Sequence, residues 1–252
     1  MNAPAPTGGV QSVTRAFALL EELHAAGGSL SITELAERTA LPLGTIHRLA
    51  KTLAGGGYLR QLADRRYALG SRLAALGATA STQVGVRAQS VLDGLAGALG
   101  ESANLAILSG GSAEYIGQAA GSHSMRMFTE VGRKVPLHCT GVGKALLSQL
   151  PEAEIARIMR REGMAAITPA TLTTLEAVFA EVERIRVQGF AMDEGEMEIG
   201  VRCIAMPFHA GAPMAVSVSG PEVRMTTELV TRAESALHQA TTDLAPLLDD
   251  RR

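Results

Sequence analysis

The chain holds only two cysteines in 252 residues, Cys139 and Cys203. That is too few for a disulfide framework. Its apolar runs all stop short of the roughly 18 residues that a membrane-spanning helix needs. The first residues, Met1-Asn2-Ala3-Pro4-Ala5-Pro6, have neither a basic stretch nor an apolar one. No signal peptide is therefore expected; residues 1–9 are expected to be a disordered tail and the location cytoplasmic. Internal repeats are lacking. So is a G-x-S-x-G elbow, which argues against a serine hydrolase. A nucleotide P-loop is also missing: beside Gly143-Lys144 it would need glycine where His138 stands and Ser or Thr where Ala145 stands. Charge of one sign is not in excess either, and a net −2 by itself says nothing about partners.

What is present is 46% hydrophobic and 19% charged, enough to bury a core. The charge is unevenly spread. Residues 1–80 carry eight Lys and Arg against five Asp and Glu, and residues 81–252 carry fifteen against twenty. A basic front and an acidic rear suggest that nucleic acid, if bound, meets the front.

The front has a specific pattern. Ser31-Ile32-Thr33-Glu34 reads as a capping box that opens a short helix. Thr39-Ala40-Leu41 breaks it, and Pro42 restarts a helix at a first position where its missing N–H costs nothing. In that helix Ile46, Leu49, Ala50 and Leu53 recur on one buried face. Gly44, His47, Arg48 and Lys51 lie opposite. Gly55-Gly56-Gly57 ends it. Tyr58–Leu62, a turn at Ala63-Asp64-Arg65-Arg66, and Tyr67–Leu69 form a hairpin with a cationic tip. A first helix over Ser12–Ala26 completes a three-helix core. The series reads as a winged helix-turn-helix over residues 10–72. Thr45, His47, Arg48 and Lys51 are expected in a major groove, with Arg60, Arg65 and Arg66 on phosphate or the minor groove.

An Ala-rich helix from Ser71 to about Gly85 follows, taken as a linker over residues 73–86. Its small residues suit pairing with a second copy, or packing on its own chain. A separate helix is expected over Val86–Leu99. The rest changes to strands at Ala103–Leu108, Ala113–Gln118, Met125–Thr129, Val201–Phe208 and Met214–Val218. Helices are expected at Gly141–Leu150, Glu152–Arg161, Leu175–Gln188 and Thr226–Leu247. That arrangement implies an α+β domain over residues 87–248.

Within it, Gly132–Leu150 delivers glycines to a helix N-terminus, where unsatisfied N–H groups attract a small carboxylate. Gly141 and Val142 are the expected donors; the alternative is a glycine-rich turn used only for packing. Asp193, Glu194, Glu196 and Glu198 read as a solvated acidic loop from which one acid could reach a ligand. Cys203 reads as a buried small hydrophobe in a strand. Ser217 and Ser219 alternate and so share a face. His138 is expected at the rim of the same site. A metal held by His138, Cys139, Cys203 and His209 has no supporting spacing, and no metal or cofactor is expected.

Together these stretches resemble the IclR family of bacterial transcriptional regulators. In front the resemblance rests on Val13-Thr14-Arg15-Ala16, Leu35-Ala36, Thr45-Ile46-His47-Arg48-Leu49 and Tyr67-Ala68-Leu69-Gly70. Behind, it rests on Pro136-Leu137-His138, Gly143-Lys144-Ala145, Gly189-Phe190-Ala191-Met192-Asp193, Arg202-Cys203-Ile204-Ala205 and Ser217-Val218-Ser219-Gly220-Pro221. The chain departs at Phe208-His209-Ala210, where members often carry an acidic or amide residue. The resemblance implies a helical linker to a GAF-like effector domain, dimers or tetramers on palindromic operator DNA, and a repressor relieved by a small organic acid. It also implies effector contacts at Gly141, Val142, Asp193, Cys203, Ser217 and Ser219. The rivals are a redox- or metal-responsive regulator and a GAF-type thiol enzyme. The enzyme leaves the basic hairpin without a purpose, so a non-enzymatic regulator is expected.

Overall fold

A computed structural model describes residues 10–124, 127 and 129–249. Residues 1–9 lie outside the described residues, as do Met125, Arg126 and Phe128 of the strand expected at 125–129. Met127 and Thr129 belong to no strand. The chain divides into two compact units, 1–80 and 81–252.

The front unit begins with helix α1 (Gln11–Ala26), closed by Gly27 at a φ of 64°, a left-handed turn that glycine adopts without strain. Strand β1 (Ser29–Leu30) leads into helix α2 (Ile32–Thr39). The Ser31 capping box is formed in both directions: Ser31 N donates to Glu34 at 2.7 Å, and Glu34 N donates to the Ser31 hydroxyl at 3.2 Å. Helix α3 (Leu43–Gly55) follows with Pro42 as its N-cap, one position earlier than the sequence suggests. The hairpin is strands β2 (Leu59–Gln61) and β3 (Tyr67–Leu69). β1 was not legible in the sequence. Two residues carry no periodicity, yet Leu30 pairs with Tyr67 and makes the wing a three-stranded antiparallel sheet, β1-β3-β2. One core closes the unit: Leu19, Leu23, Leu30, Leu35, Ile46, Ala50, Leu59 and Tyr67.

Helix α4 runs unbroken over Arg72–Leu99, correcting the expected pair of helices. Gly85 marks a close approach, not an end. A Cβ there would stand 1.9 Å from the Ile116 carbonyl oxygen, so the missing side chain lets helix and strand backbones touch.

The rear unit is a six-stranded antiparallel sheet, ordered β6-β5-β4-β9-β8-β7. Its strands are β4 (Ser102–Ser109), β5 (Ser112–Ala119), β6 (Lys134–Val135), β7 (Ala191–Glu194), β8 (Val201–Ala210) and β9 (Ala212–Pro221). β6 and β7 are short edge strands, two and four residues long, too short to show a period in the sequence. Four helices accompany it: α5 (Gly141–Leu147), α6 (Glu152–Glu162), α7 (Leu175–Gln188) and α8 (Thr227–Leu248).

The two faces of this sheet differ in side-chain size. Leu105, Ile204, Met206, Phe208, Val216 and Val218 point to one face and pack on α4 and α8. Ala106, Ala191, Ala205 and Ala215 point to the other, where α5, α6 and α7 lie. Small residues let α5 sit close to the strands. Along the strands the same face turns polar at Asn104, Asp193, Cys203, Ser217 and Ser219, which follow from the two-residue period and the cross-strand register.

Candidate functional site

The surface of the front unit carries the first candidate site. Ile46 and Ala50 bury one side of α3 completely. Gly44, His47, Arg48 and Lys51 are exposed on the other, and Thr45 is half-buried beside them. Arg48 and Thr45 line an open groove with Gln11, Ser12 and Arg15 of α1. The hairpin tip is set by a tight turn. Leu62 N donates to Arg66 O at 2.8 Å, Arg66 N donates to Asp64 Oδ1 at 3.1 Å, and Arg65 takes a φ of 65°. Arg60 and Arg65 are exposed.

Arg66 is placed differently from its neighbours. Its guanidinium is spent on Ser29, at 3.1 Å to the hydroxyl and 2.8 Å to the carbonyl, and on Glu34 Oε2 at 2.9 Å. It ties the wing to β1 and to the cap of α2. The Ser31 backbone N–H, the Ser31 hydroxyl and Arg66 hold the Glu34 carboxyl below its usual value.

The second candidate lies in the rear unit, where the polar end of the sheet meets the start of α5. A small cavity of about 60 Å³ is lined by Gly141, Asp193, Cys203 and Ser219 from the expected set. Tyr115, Arg133, Thr140 and Met197 line it too, and were not singled out from the sequence. Arg133 supplies a cation from the turn before β6, a placement no local motif announces.

Three expected residues do not line this cavity. His138 is buried with Nε2 3.2 Å from the Ala165 carbonyl. The Val142 side chain belongs to the core with Leu146 and Ile155. Ser217, two residues from Ser219 on the same strand face, is buried away from the cavity lining, and its hydroxyl acts on the neighbouring Cys203 thiol. Asn104 lies across from Ser217 in register and donates to the Ser219 hydroxyl at 3.4 Å.

The glycines of α5 serve packing directly. A Cβ on Gly141 would stand 2.8 Å from the Cys203 sulfur, and one on Gly143 2.5 Å from Leu137 Cα. The room gained by omitting the Gly141 side chain is filled by Cys203, not left for a ligand. Thr140 caps the helix by accepting from Gly143 N at 3.1 Å. The first-turn amides of Gly141 and Val142 are not needed by the helix's own ladder.

The acidic loop is also less solvated than its composition suggests. Asp193 and Glu196 are 4% and 8% exposed. Burial pushes the Asp193 carboxyl up, and the Glu196 N–H at 2.7 Å and the Lys144 charge offset that only in part. Burial likewise pushes Glu196 up against the pull of Lys144. Lys144 itself is 2% exposed.

Burial and the nearby Asp193 charge push both the Cys139 and Cys203 thiols up to about 12. Neither is a thiolate at neutral pH, so neither has the reactivity of a catalytic cysteine. Among the described residues no group of three or more His, Cys, Asp or Glu could hold a metal ion. Nor, among those residues, is any helix long and apolar enough to cross a membrane.

A three-helix unit with an exposed polar helix face and a basic wing, followed by a sheet domain with a small cavity of mixed lining, points to a two-domain DNA-binding regulator. Comparison with known proteins gives the family. Residues 12–63 match the IclR helix-turn-helix domain, and residues 76–245 match the bacterial transcriptional regulator IclR C-terminal domain. The chain is 36% identical over 237 residues to the transcriptional repressor IclR of Escherichia coli, covering 91% of this chain and 86% of that one. It is 36% identical over 233 residues to the acetate operon repressor of Salmonella typhimurium, covering 89% and 85%. The crystal structure of Thermotoga maritima IclR superposes with a TM-score of 0.64 at 27% identity, over 94% of this chain and 98% of that one. The chain belongs to the IclR family: it is a DNA-binding transcriptional regulator, not an enzyme, and its partner is operator DNA.

Proposed function

We propose that the chain is a repressor whose grip on its operator is loosened by a small carboxylate bound in the rear cavity. The observation that carries this is the cavity itself: small, partly open, of mixed apolar and polar lining, and bordered by the exposed Arg133 cation, the Ser219 and Thr140 hydroxyls and the start of α5. A water needs on the order of 10–15 Å³ of such space. A volume of about 60 Å³ therefore fits an acid of a few heavy atoms and no nucleotide. In this reading the carboxylate meets Arg133, the Ser219 hydroxyl and the Gly141 and Val142 amides. Asp193 accepts from a hydroxyl or water on the ligand, because a second anion facing it directly would repel. Cys203 is an apolar wall.

On the operator, Thr45, His47, Arg48 and Lys51 enter the major groove, and Arg60 and Arg65 meet phosphate or the minor groove. Arg66 braces the wing from behind. One winged helix reads one half-site, so the working unit is at least a dimer on two half-sites spaced by whole turns, with α4 part of the contact. The action belongs in the cytoplasm, where the DNA is. Ligand binding shifts the balance between DNA-competent and incompetent arrangements only as far as its affinity differs between them.

Calorimetry with acetate, glycolate and lactate on the wild-type chain and on Arg133→Ala, Ser219→Ala and Val142→Pro tests the pocket. Each variant is expected to lose affinity; unchanged affinity in all three would place the site elsewhere. A monomeric mass by light scattering at micromolar concentration, unchanged by DNA, would overturn the dimer.

A further inference from the structure

Lys144 lies out of solvent beside two carboxylates, and the pocket described above gives it no task. Its Nζ is bonded to Glu196 Oε1 and stands 3.1 Å from Glu181 Oε1 of α7. Glu181 has a second cation, Arg184, at 2.7 Å. Burial pushes the Glu181 carboxyl up, but Arg184 and Lys144 together hold it below its usual value. Glu196 has no second ion pair among the described residues, Arg184 acting on it only at longer range, and its Oε2 is buried without a hydrogen-bond partner among them. Glu181 therefore keeps a close cation without the lysine, whereas Glu196 loses its only direct ion pair among the described residues.

Glu196 belongs to the loop that joins β7 to β8. The root of this loop is held from one side. Thr168 Oγ1 donates to Gly195 O at 2.7 Å, Thr171 Oγ1 donates to Glu196 O at 2.7 Å, and Glu196 N donates to Asp193 Oδ1 at 2.7 Å. On either side of that root stand Asp193, Met197 and Glu198, three residues of the cavity wall. Among the described residues the Lys144–Glu196 pair is the one ion pair between this loop and α5, whose first residue, Gly141, also lines the cavity.

We infer that Lys144 is a positioning residue for the cavity: by clamping Glu196 to α5 it fixes where Met197 and Glu198 of the loop stand beside the strand-held Asp193, and so which acids the cavity admits. This rests on the reading of the cavity as an effector pocket. Without the ammonium, the Glu196 and Asp193 carboxylates share a buried region with no cation between them, and the loop gains by lifting its charge toward water. The alternative is that Lys144 only glues α5 to α7, in which case the loop and the cavity are indifferent to it.

The full chain decides between these through Lys144→Met and through the double variant Lys144→Met/Glu196→Met. The single variant leaves a buried carboxylate unpaired and is expected to melt earlier. The double variant replaces the pair by apolar groups of similar volume and is expected to melt within a few degrees of wild type. It is nevertheless expected to exchange the amide hydrogens of residues 194–201 about tenfold faster. Its affinity for acetate, glycolate or lactate is expected to fall about tenfold, as the displaced loop residues misplace the ligand. Glu196→Gln reads the same two quantities should the double variant not fold. Wild-type exchange and wild-type affinity in a folded variant overturn the inference. If the wild-type chain binds none of the three acids, the pocket reading fails, and the exchange rates alone still decide whether Lys144 positions the loop.

Discussion

The two units use charge in opposite ways. The front keeps its cations outside: Arg48, Lys51, Arg60 and Arg65 are exposed around an interior of eight buried residues, none of them ionisable except Tyr67. The rear holds two apolar clusters of 22 and 18 buried residues and also buries Lys144, Asp193 and Glu196. A small unit cannot absorb the desolvation of an ion pair, and its partner is a polyanion that reads charge at the surface. A larger unit can bury a polar group, and there a pocket out of water makes each charge count for more.

That contrast can be broken by experiment. The largest effects belong to the cores. Ile46→Ala and Leu146→Ala each remove a fully buried side chain and are expected to cost about 2–5 kcal/mol. The same loss is a larger share of the smaller front. Ile46→Ala is expected to abolish operator binding in a titration at about 37 °C, not far below the roughly 45–65 °C at which ordinary domains melt, while Leu146→Ala keeps it. Equal tolerance of both would mean that the units do not differ in reserve. Next comes Gly85→Ala, whose Cβ would meet the Ile116 carbonyl oxygen at 1.9 Å. Overpacking of this kind costs about 1–3 kcal/mol, and chemical denaturation should place the loss in the rear unit.

Surface charge in front gives smaller, separable effects. Arg48→Ala is expected to weaken the operator by about 1–3 kcal/mol and to relax preference at one base pair. Arg65→Ala is expected to weaken all sequences alike and to lower the salt slope by about one. Titrations at several salt concentrations on operator and random DNA separate them; identical behaviour of the two variants would remove the division between groove and backbone.

The smallest expected effect is on pH, where the units have opposite signs. Glu34 is held below its usual value of 4.5, so its contribution is present above that pH and is lost as pH falls through the lowered value. Asp193 is pushed above its usual 3.8, so burial favours its protonated form. Its contribution is present below 3.8 and is lost as pH rises through the raised value. Melting curves between roughly pH 3 and 7 should therefore flatten in opposite directions for Glu34→Gln and Asp193→Asn. The same direction in both would deny the contrast.

Sequence alone determined what depends on near neighbours. The capping box at Ser31, the stop at Gly27, the face of Ile46 and Ala50 on α3, the hairpin around Asp64, and the shared face of Ser217 and Ser219 follow from spacings of two to four residues. Those are the distances over which backbone hydrogen bonds and side-chain periodicity act. Tertiary structure decided what depends on residues brought together from afar. It ran α4 through Gly85 because that glycine touches a strand thirty residues on. It added Leu30 to the wing, and turned Arg66 inward to Ser29 and Glu34. It placed Arg133 and Tyr115 on the cavity and left Ser217 off its lining. It also drew Lys144, Glu181 and Glu196 out of three separate segments into one buried cluster. A lysine in a Gly-Lys-Ala stretch and a glutamate in an acidic loop look solvated in a linear reading; only the sheet and α7, closing over them, remove the water and make their pairing obligatory.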